Sequence, residues 1–86
     1  MKANTNTLDA KQRRALTIKV NYLLRARAVQ LDYQREKREG IPDAFIWRKH
    51  IQPRHFIGLD TFYRYLTVNV SQELRKAGIA PETVLG

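Results

Sequence analysis

Residues 53–66 read PRHFIGLDTFYRYL, and the apolar run AFIWRKHI at residues 44–51 comes shortly before them. In both runs the apolar side chains recur at helical spacing, which is typical of helices with one face against a core. Pro53 separates the two runs, and the residue before a proline is biased away from the helical conformation. The pattern therefore predicts two helices, at 43–52 and 59–67, on either side of a break at 53–58.

The chain before this region favours one long helix. No Gly or Pro occurs between Leu8 and Lys37, and Thr7 is expected to cap the helix N-terminus. The segment 17–24 alternates apolar and polar residues as a strand does, but no turn or second strand accompanies it, so a helix with a possible break near Thr17 is preferred. One apolar stripe recurs at three- and four-residue steps along this helix, formed by Leu16, Val20, Leu23, Leu24 and Leu31.

The charged run 34–40 is interpreted as an exposed helix end closed by Gly40. The alternative for this run is a phosphate-binding patch formed by Arg35, Lys37 and Arg38. A last helix is predicted at 70–77, capped by Asn69 and ended by Gly78.

These patterns predict an all-α fold in a single domain spanning residues 1–86. The expected architecture is a small bundle of about four helices with a long first helix, and the segments 1–6 and 79–86 are expected to be flexible. The second and third helices are expected to pack under the first through Phe45, Trp47, Ile57, Phe62 and Leu66. Phe56 and Ile57 are expected to enter the core from the loop.

Charge points to a polyanionic partner. The chain has 16 Lys and Arg against 8 Asp and Glu, a net charge of +8, and such an excess concentrates polyanions at a surface. Nucleic acid is the expected partner, and a merely soluble basic surface is the alternative. No apolar run approaches the roughly 20 residues of a membrane span, and no apolar leader opens the chain, so no membrane association and a cytoplasmic location are expected.

Enzymatic and metal-binding functions are not favoured. The acidic residues are scattered, Ser71 is the only serine, and no nucleotide-binding or hydrolase motif is present. The chain has no Cys, and His50 and His55 lack the helical spacing that zinc sites favour. A non-enzymatic protein without metal or cofactor is therefore expected.

The segment 59–67 has the properties required of a helix that enters the major groove of DNA. Such a helix is short, apolar on the side that faces the protein and polar on the other. Phe62 and Leu66 are expected to anchor it. The candidate DNA-binding residues are Leu59, Asp60, Thr61, Tyr63, Arg64 and Thr67 on this helix, with Arg48, Lys49, Arg54 and His55 as phosphate-binding supports.

The run IGLDTFYRYL at residues 57–66 resembles the turn and recognition helix of helix-turn-helix proteins in the resolvase, invertase and transposase group. The region 44–73 also resembles small bacterial proteins that carry an IxPxxxIxxxTFYRYL-like pattern and are often linked to mobile elements. The resemblance implies base reading by Leu59 and Asp60, support or phosphate contact by Thr61, and DNA contact by Tyr63 and Arg64. That group has Gly at the turn, whereas here the turn is expected to be longer, over 53–58.

The predicted function is binding of duplex DNA through helix 59–67, within a helix-turn-helix-like region at 43–67. The protein is expected to act as a small transcriptional regulator or an accessory factor of a mobile element. A homodimer formed through the long first helix would match a two-fold DNA site. The alternatives are a helical interaction module that binds an acidic partner, and an RNA-binding helical domain.

Overall fold

A computed structural model of the protein describes residues 9–85, which form five helices and no strand. The helices are α1 (Ala10–Glu36), α2 (residues 43–55), α3 (Leu59–Leu66), α4 (Val70–Lys76) and α5 (Pro81–Leu85). The predicted all-α class with a long first helix is confirmed, with one more helix than expected. The segment 1–6, predicted to be flexible, and the predicted cap Thr7 lie outside the described residues.

Helix α1 is continuous and provides the surface on which α2, α3 and α4 pack. Its 27 residues span about 40 Å at a rise of 1.5 Å per residue. The N-terminal cap is Asp9, whose carboxylate accepts from the Gln12 N–H at 2.7 Å while the Gln12 side chain accepts from the Asp9 N–H at 3.2 Å. This reciprocal arrangement satisfies two backbone donors. No break occurs at Thr17.

Helix α2 continues past Pro53, so the prediction that it ends near Gln52 is wrong. It consists of the α-helical turn Asp43–Ile46, the π-helical turn Trp47–Ile51 and the α-helical turn Gln52–His55. In an α-helix, a proline lacks the required N–H and its ring crowds the carbonyl of the preceding turn. Here the Gln52 N–H reaches back to the Trp47 carbonyl, five residues earlier, and this wider turn accommodates the ring.

The π-helical turn also determines which side chains of α2 enter the core. Two residues five positions apart point about 140° away from each other on an α-helix. Across the wider turn, however, Ile46 and Ile51 are both buried. The half-buried Trp47 packs against the same cluster, so α2 contributes three apolar residues to the core.

The core lies between α1 and the other helices. Helix α3 contributes Phe62 and Tyr65, whose rings meet Tyr33 and Tyr22 of α1 edge-to-face at centroid distances of 5.9 and 5.4 Å. Aromatic pairs favour this arrangement. The buried apolar residues are Leu23, Ala26, Val29, Ile46, Ile51, Phe62, Tyr65, Val70 and Leu74.

Three residues that were predicted to face the core are exposed in the structure. Phe56 is 81% exposed and Phe45 is also exposed. Leu31 is 45% exposed on the outer face of α1. Leu66, as predicted, packs against the core, although it is half-buried while Tyr65 is more fully buried.

The C-terminal segment forms structure where a flexible tail at 79–86 was predicted. Gly78 has φ of +81°, and the N–H groups of Gly78 and Ile79 donate to the carbonyls of Arg75 and Leu74 at 2.9 Å each. This pattern ends α4, as predicted, and turns the chain back. Ile79 and Leu85 then pack against the core and Pro81 is buried, which holds α5 in place. No helix among residues 9–85 is long and apolar enough to cross a membrane.

Candidate nucleic-acid interface

The connection between α2 and α3 is short, and one aromatic side chain fixes its position. Only Phe56, Ile57 and Gly58 lie between the helices, so the expected long turn at 53–58 is wrong. Phe56 has φ of +56° and occupies the left-handed conformation for which Gly is usual. The Trp47 indole N–H donates to the Ile57 carbonyl at 2.8 Å, which ties the turn to the middle of α2.

Helix α3 has a fixed inner face and an open outer face. Phe62 is fully buried and Tyr65 nearly so, while Asp60, Tyr63 and Arg64 are exposed. Thr67, just after the helix, is exposed and its hydroxyl donates to the Arg64 carbonyl at 2.8 Å. Positions 60, 63, 64 and 67 follow the three- and four-residue spacing of one helix face. The structure therefore brings together four of the six residues predicted on this helix.

The other two predicted residues of α3 are less accessible. Leu59 is half-buried and packs against the core. Thr61, the residue before Phe62, is also half-buried. Leu59 lies in the first turn, where its side chain helps to hold α3 against the bundle. A base-reading role for Leu59, as the resemblance implies, would require that side chain to leave the core.

Arg64 is available to a ligand. Asp60 lies four residues before it, a spacing that often supports an ion pair, yet no ion pair joins them among residues 9–85. Tyr63 is 42% exposed, and its ring packs against Phe62 at a centroid distance of 5.5 Å. Tyr63 is therefore restrained on one side by Phe62 while it stays exposed.

Helix α2 presents two exposed cations beside an exposed ring. The Arg48 guanidinium and the Lys49 ammonium lie 5.9 and 5.5 Å from the centroid of Phe45. Such contacts with an aromatic face restrict a cation without neutralising it. Neither side chain forms an ion pair within the described residues, so both remain free to contact an anion.

Arg54 and His55 lie on α2 rather than in a loop, and both contact Asp32 of α1. Asp32 is only 8% exposed. Its carboxylate accepts from His55 Nε2 at 2.7 Å and from Arg54 Nη1 at 3.1 Å, and it is also paired with Arg35. These two predicted phosphate contacts thus serve to join α2 to α1. We call this group of four residues the Asp32 cluster.

The charge state of Asp32 follows from its neighbours. Burial raises the pKa of Asp32, but the hydrogen bonds from His55 and Arg54 and the positive charges of Arg54 and Arg35 lower it below its ordinary value. The carboxylate is therefore ionised at neutral pH. An ionised carboxylate only accepts hydrogen bonds, so the proton of the His55 contact lies on Nε2.

A second set of contacts joins the end of α1 to the start of α2. Asp43 accepts from the Tyr33 hydroxyl at 3.0 Å and from Lys37 Nζ at 2.8 Å. The hydrogen bond from Lys37 lowers the pKa of Asp43 against the opposing effect of burial, and the bond from Tyr33 lowers it further. Because Lys37 and Arg35 are engaged in ion pairs, the phosphate-binding alternative for the run 34–40 is weakened.

The position of Asp32 in the sequence is a partial indication of the Asp32 cluster. Position 32 falls three residues after the buried Val29, so an acidic side chain lies at the edge of the core face of α1. A buried acid requires a cationic or hydrogen-bonding partner. His50 and His55 stand five residues apart, and His50 Nε2 lies 3.5 Å from Glu36 of α1. Only knowledge of the π-helical turn would have placed both histidines toward α1.

No grouping of three or more His, Cys, Asp or Glu side chains suited to hold a metal ion occurs in the part of the chain that the structure describes. Comparisons with protein-family models, with curated proteins and with solved structures found no significant match.

Proposed function

We propose that the protein binds duplex DNA by placing the outer face of α3 in the major groove. The observation that carries this proposal is the division of α3 into two faces. Phe62 and Tyr65 are locked in the core, whereas Asp60, Tyr63 and Arg64 are exposed and form no ion pair within residues 9–85. A short exposed helix with fixed backing is what groove entry requires.

The connection to α2 supports the same mode of binding. Helix-turn-helix motifs join their two helices by a turn of three or four residues, and the three-residue turn after His55 has this length. Trp47 fixes the turn, and Gln30 of α1 donates from Nε2 to the carbonyls of Tyr65 and Val68 at 2.8 Å each. Both ends of α3 are thus held, which reduces the ordering that binding would demand.

The polar residues suit distinct parts of the duplex. Arg64 matches the two acceptors of guanine or a phosphate, and the Tyr63 hydroxyl suits a phosphate oxygen. Asp60 lies in the first turn of α3, where a carboxylate can accept from the cytosine amino group but would repel the backbone. Arg48 and Lys49 of α2 supply salt-dependent affinity that is independent of sequence.

The proposed role is non-enzymatic. The resemblance of residues 57–66 to the recognition segment of resolvases, invertases and transposases favours a regulator or an accessory factor of a mobile element. Binding of structured RNA is a weaker candidate, because the deep, narrow major groove of an RNA helix does not admit α3.

Selection of bound sequences from a random duplex library tests the proposal. We expect an enriched sequence, and we expect Arg64→Ala to weaken binding to it more than binding to random duplex. Arg48→Ala should weaken both to the same extent, since it contacts phosphate alone. An unenriched library would contradict base reading by α3, and equal losses from the two variants would contradict the role of Arg64.

A further inference from the structure

Helix α1 has an apolar stripe on the face that points away from the bundle. Leu24, Ala28 and Leu31 follow one another at four- and three-residue steps, which places them within about 60° of one another around the helix. They point away from the buried Leu23 and Ala26. Leu31 is 45% exposed, Ala28 is exposed, and Leu24 is half-buried but does not belong to the core. We call these three residues the outer stripe.

Arginines flank the outer stripe on both sides. Arg25 and Arg27 lie on its opposite edges, and neither forms an ion pair within the described residues. No acidic residue occurs between Ala10 and Leu31, and the cations there are Lys11, Arg13, Arg14, Lys19, Arg25 and Arg27. The stripe is therefore apolar along its centre and basic along both edges.

A second copy of the chain does not suit this face. Pairing of two outer stripes would bring Arg25 and Arg27 of both copies together, with no acid on the same stretch to balance them. Like charges at the flanking positions of paired helices oppose association. The homodimer through α1 that the sequence suggests is disfavoured for this reason. Nucleic acid does not suit it either, since Leu24 and Leu31 have no counterpart on a phosphate backbone.

We propose that the outer stripe binds an acidic amphipathic helix of a partner protein. The partner would place apolar side chains at heptad spacing against Leu24 and Leu31, with its backbone close to Ala28. Its Asp or Glu residues would face Arg25 and Arg27, as complementary charges do at the flanking positions of coiled coils. This site lies on α1 opposite the core, so it is separate from the outer face of α3.

A designed peptide of about three heptads serves as the probe, with Leu at the two seam positions and Glu at the two flanking positions. Glu at the flanks keeps the peptide from pairing with itself. The matched control peptide carries Lys at the flanks, which also prevents self-pairing. Fluorescence anisotropy at about 0.15 M salt, where distant charges are screened, should show micromolar binding of the Glu peptide and at least about tenfold weaker binding of the Lys peptide. Equal binding, or none, overturns the proposal.

Variants of α1 locate the bound peptide. Leu31→Gln should weaken the Glu peptide at least about tenfold, because it removes the most exposed apolar residue of the stripe. Ile18→Gln is the matched control, since Ile18 is a 62% exposed apolar residue on another face of α1 and its loss should leave binding unchanged. Equal effects of the two changes overturn the assignment to the outer stripe.

Two further measurements exclude the other occupants. Sedimentation equilibrium should show the same oligomeric state for the wild type and Leu31→Gln. A wild-type dimer that becomes monomeric in Leu31→Gln would overturn the proposal, because a second copy would then cover the stripe. Affinity for duplex DNA should be the same in Leu31→Gln and the wild type. If Leu31→Gln lost affinity for both the peptide and DNA, the stripe would belong to the nucleic-acid surface and the proposal would be overturned. Loss of peptide binding alone supports the proposal.

Discussion

His55 Nε2 lies 2.7 Å from Asp32 Oδ2, and this contact joins the last turn of α2 to the middle of the bundle. Arg54, the neighbouring residue, binds the other carboxylate oxygen at 3.1 Å. Both residues directly precede the three-residue turn that leads into α3. The buried carboxylate of Asp32 therefore holds the end of α2 that leads into the candidate recognition helix.

Asp32→Asn should destabilise the protein by about 1.5–3 kcal/mol, the range for hydrogen bonds to charged groups. The amide keeps the shape of the side chain but loses the charge that pairs with Arg54 and Arg35. Urea unfolding followed by circular dichroism measures the difference. Asp60→Asn is the control, because Asp60 is exposed and forms no ion pair within residues 9–85, and it should change stability by no more than about 0.5 kcal/mol. Similar stabilities of the two variants would contradict the role given to Asp32.

Stability should fall in acid because Asp32 and Asp43 have lowered pKa values in the folded protein. In the unfolded chain each aspartate titrates near its ordinary pKa of about 3.9, so the unfolded state binds more protons in this range. The ionised carboxylates therefore stabilise the folded protein fully above that value. This stabilisation is lost as pH falls toward the lower pKa of the folded state. The thermal midpoint should decrease between about pH 5 and pH 3, and less steeply in Asp32→Asn. A midpoint that is constant over this range would contradict the two pKa shifts.

Phe56→Gly should be more stable than Phe56→Ala by about 1 kcal/mol, although both variants lose the same exposed ring. The reason is the φ of +56° at this position, which is unfavourable for any residue with a Cβ atom and free of this cost for Gly. Phe56→Ala itself should differ little from the wild type because the ring is 81% exposed. Denaturant unfolding of the three proteins measures both differences. A less stable Gly variant would mean that the turn does not hold the left-handed conformation.

Local sequence signals were sufficient to predict the positions of most of the helices. The absence of Gly and Pro from residue 8 to 37 predicted α1. The helical spacing of Phe62 and Leu66 predicted a helix at 59–67, and the observed α3 ends one residue earlier. Asn69 caps α4, where its side chain accepts from the Gln72 N–H at 3.1 Å as predicted. These features depend on contacts within four residues of the chain, so the sequence displays them directly.

Features that depend on tertiary packing were missed. The rule that helices end before a proline failed at Pro53, because burial of both Ile46 and Ile51 favours a π-helical turn that accommodates the ring. Phe56 was expected in the core on hydrophobicity alone, yet its backbone conformation directs it to solvent. The same limitation applies to the candidate site. Tyr63 and Arg64 are exposed, as predicted, but Arg54 and His55 were not predicted to be partners of Asp32.

The affinity for mixed-sequence duplex DNA across a salt series tests the proposed function most directly. For the wild type we expect the logarithm of the affinity to fall by several units per unit of log salt, because several phosphates are neutralised. Arg64→Ala should weaken binding, whereas Arg75→Ala, which removes an exposed charge from α4, should not. No binding of the wild type at low salt, or equal losses from the two substitutions, would contradict the account.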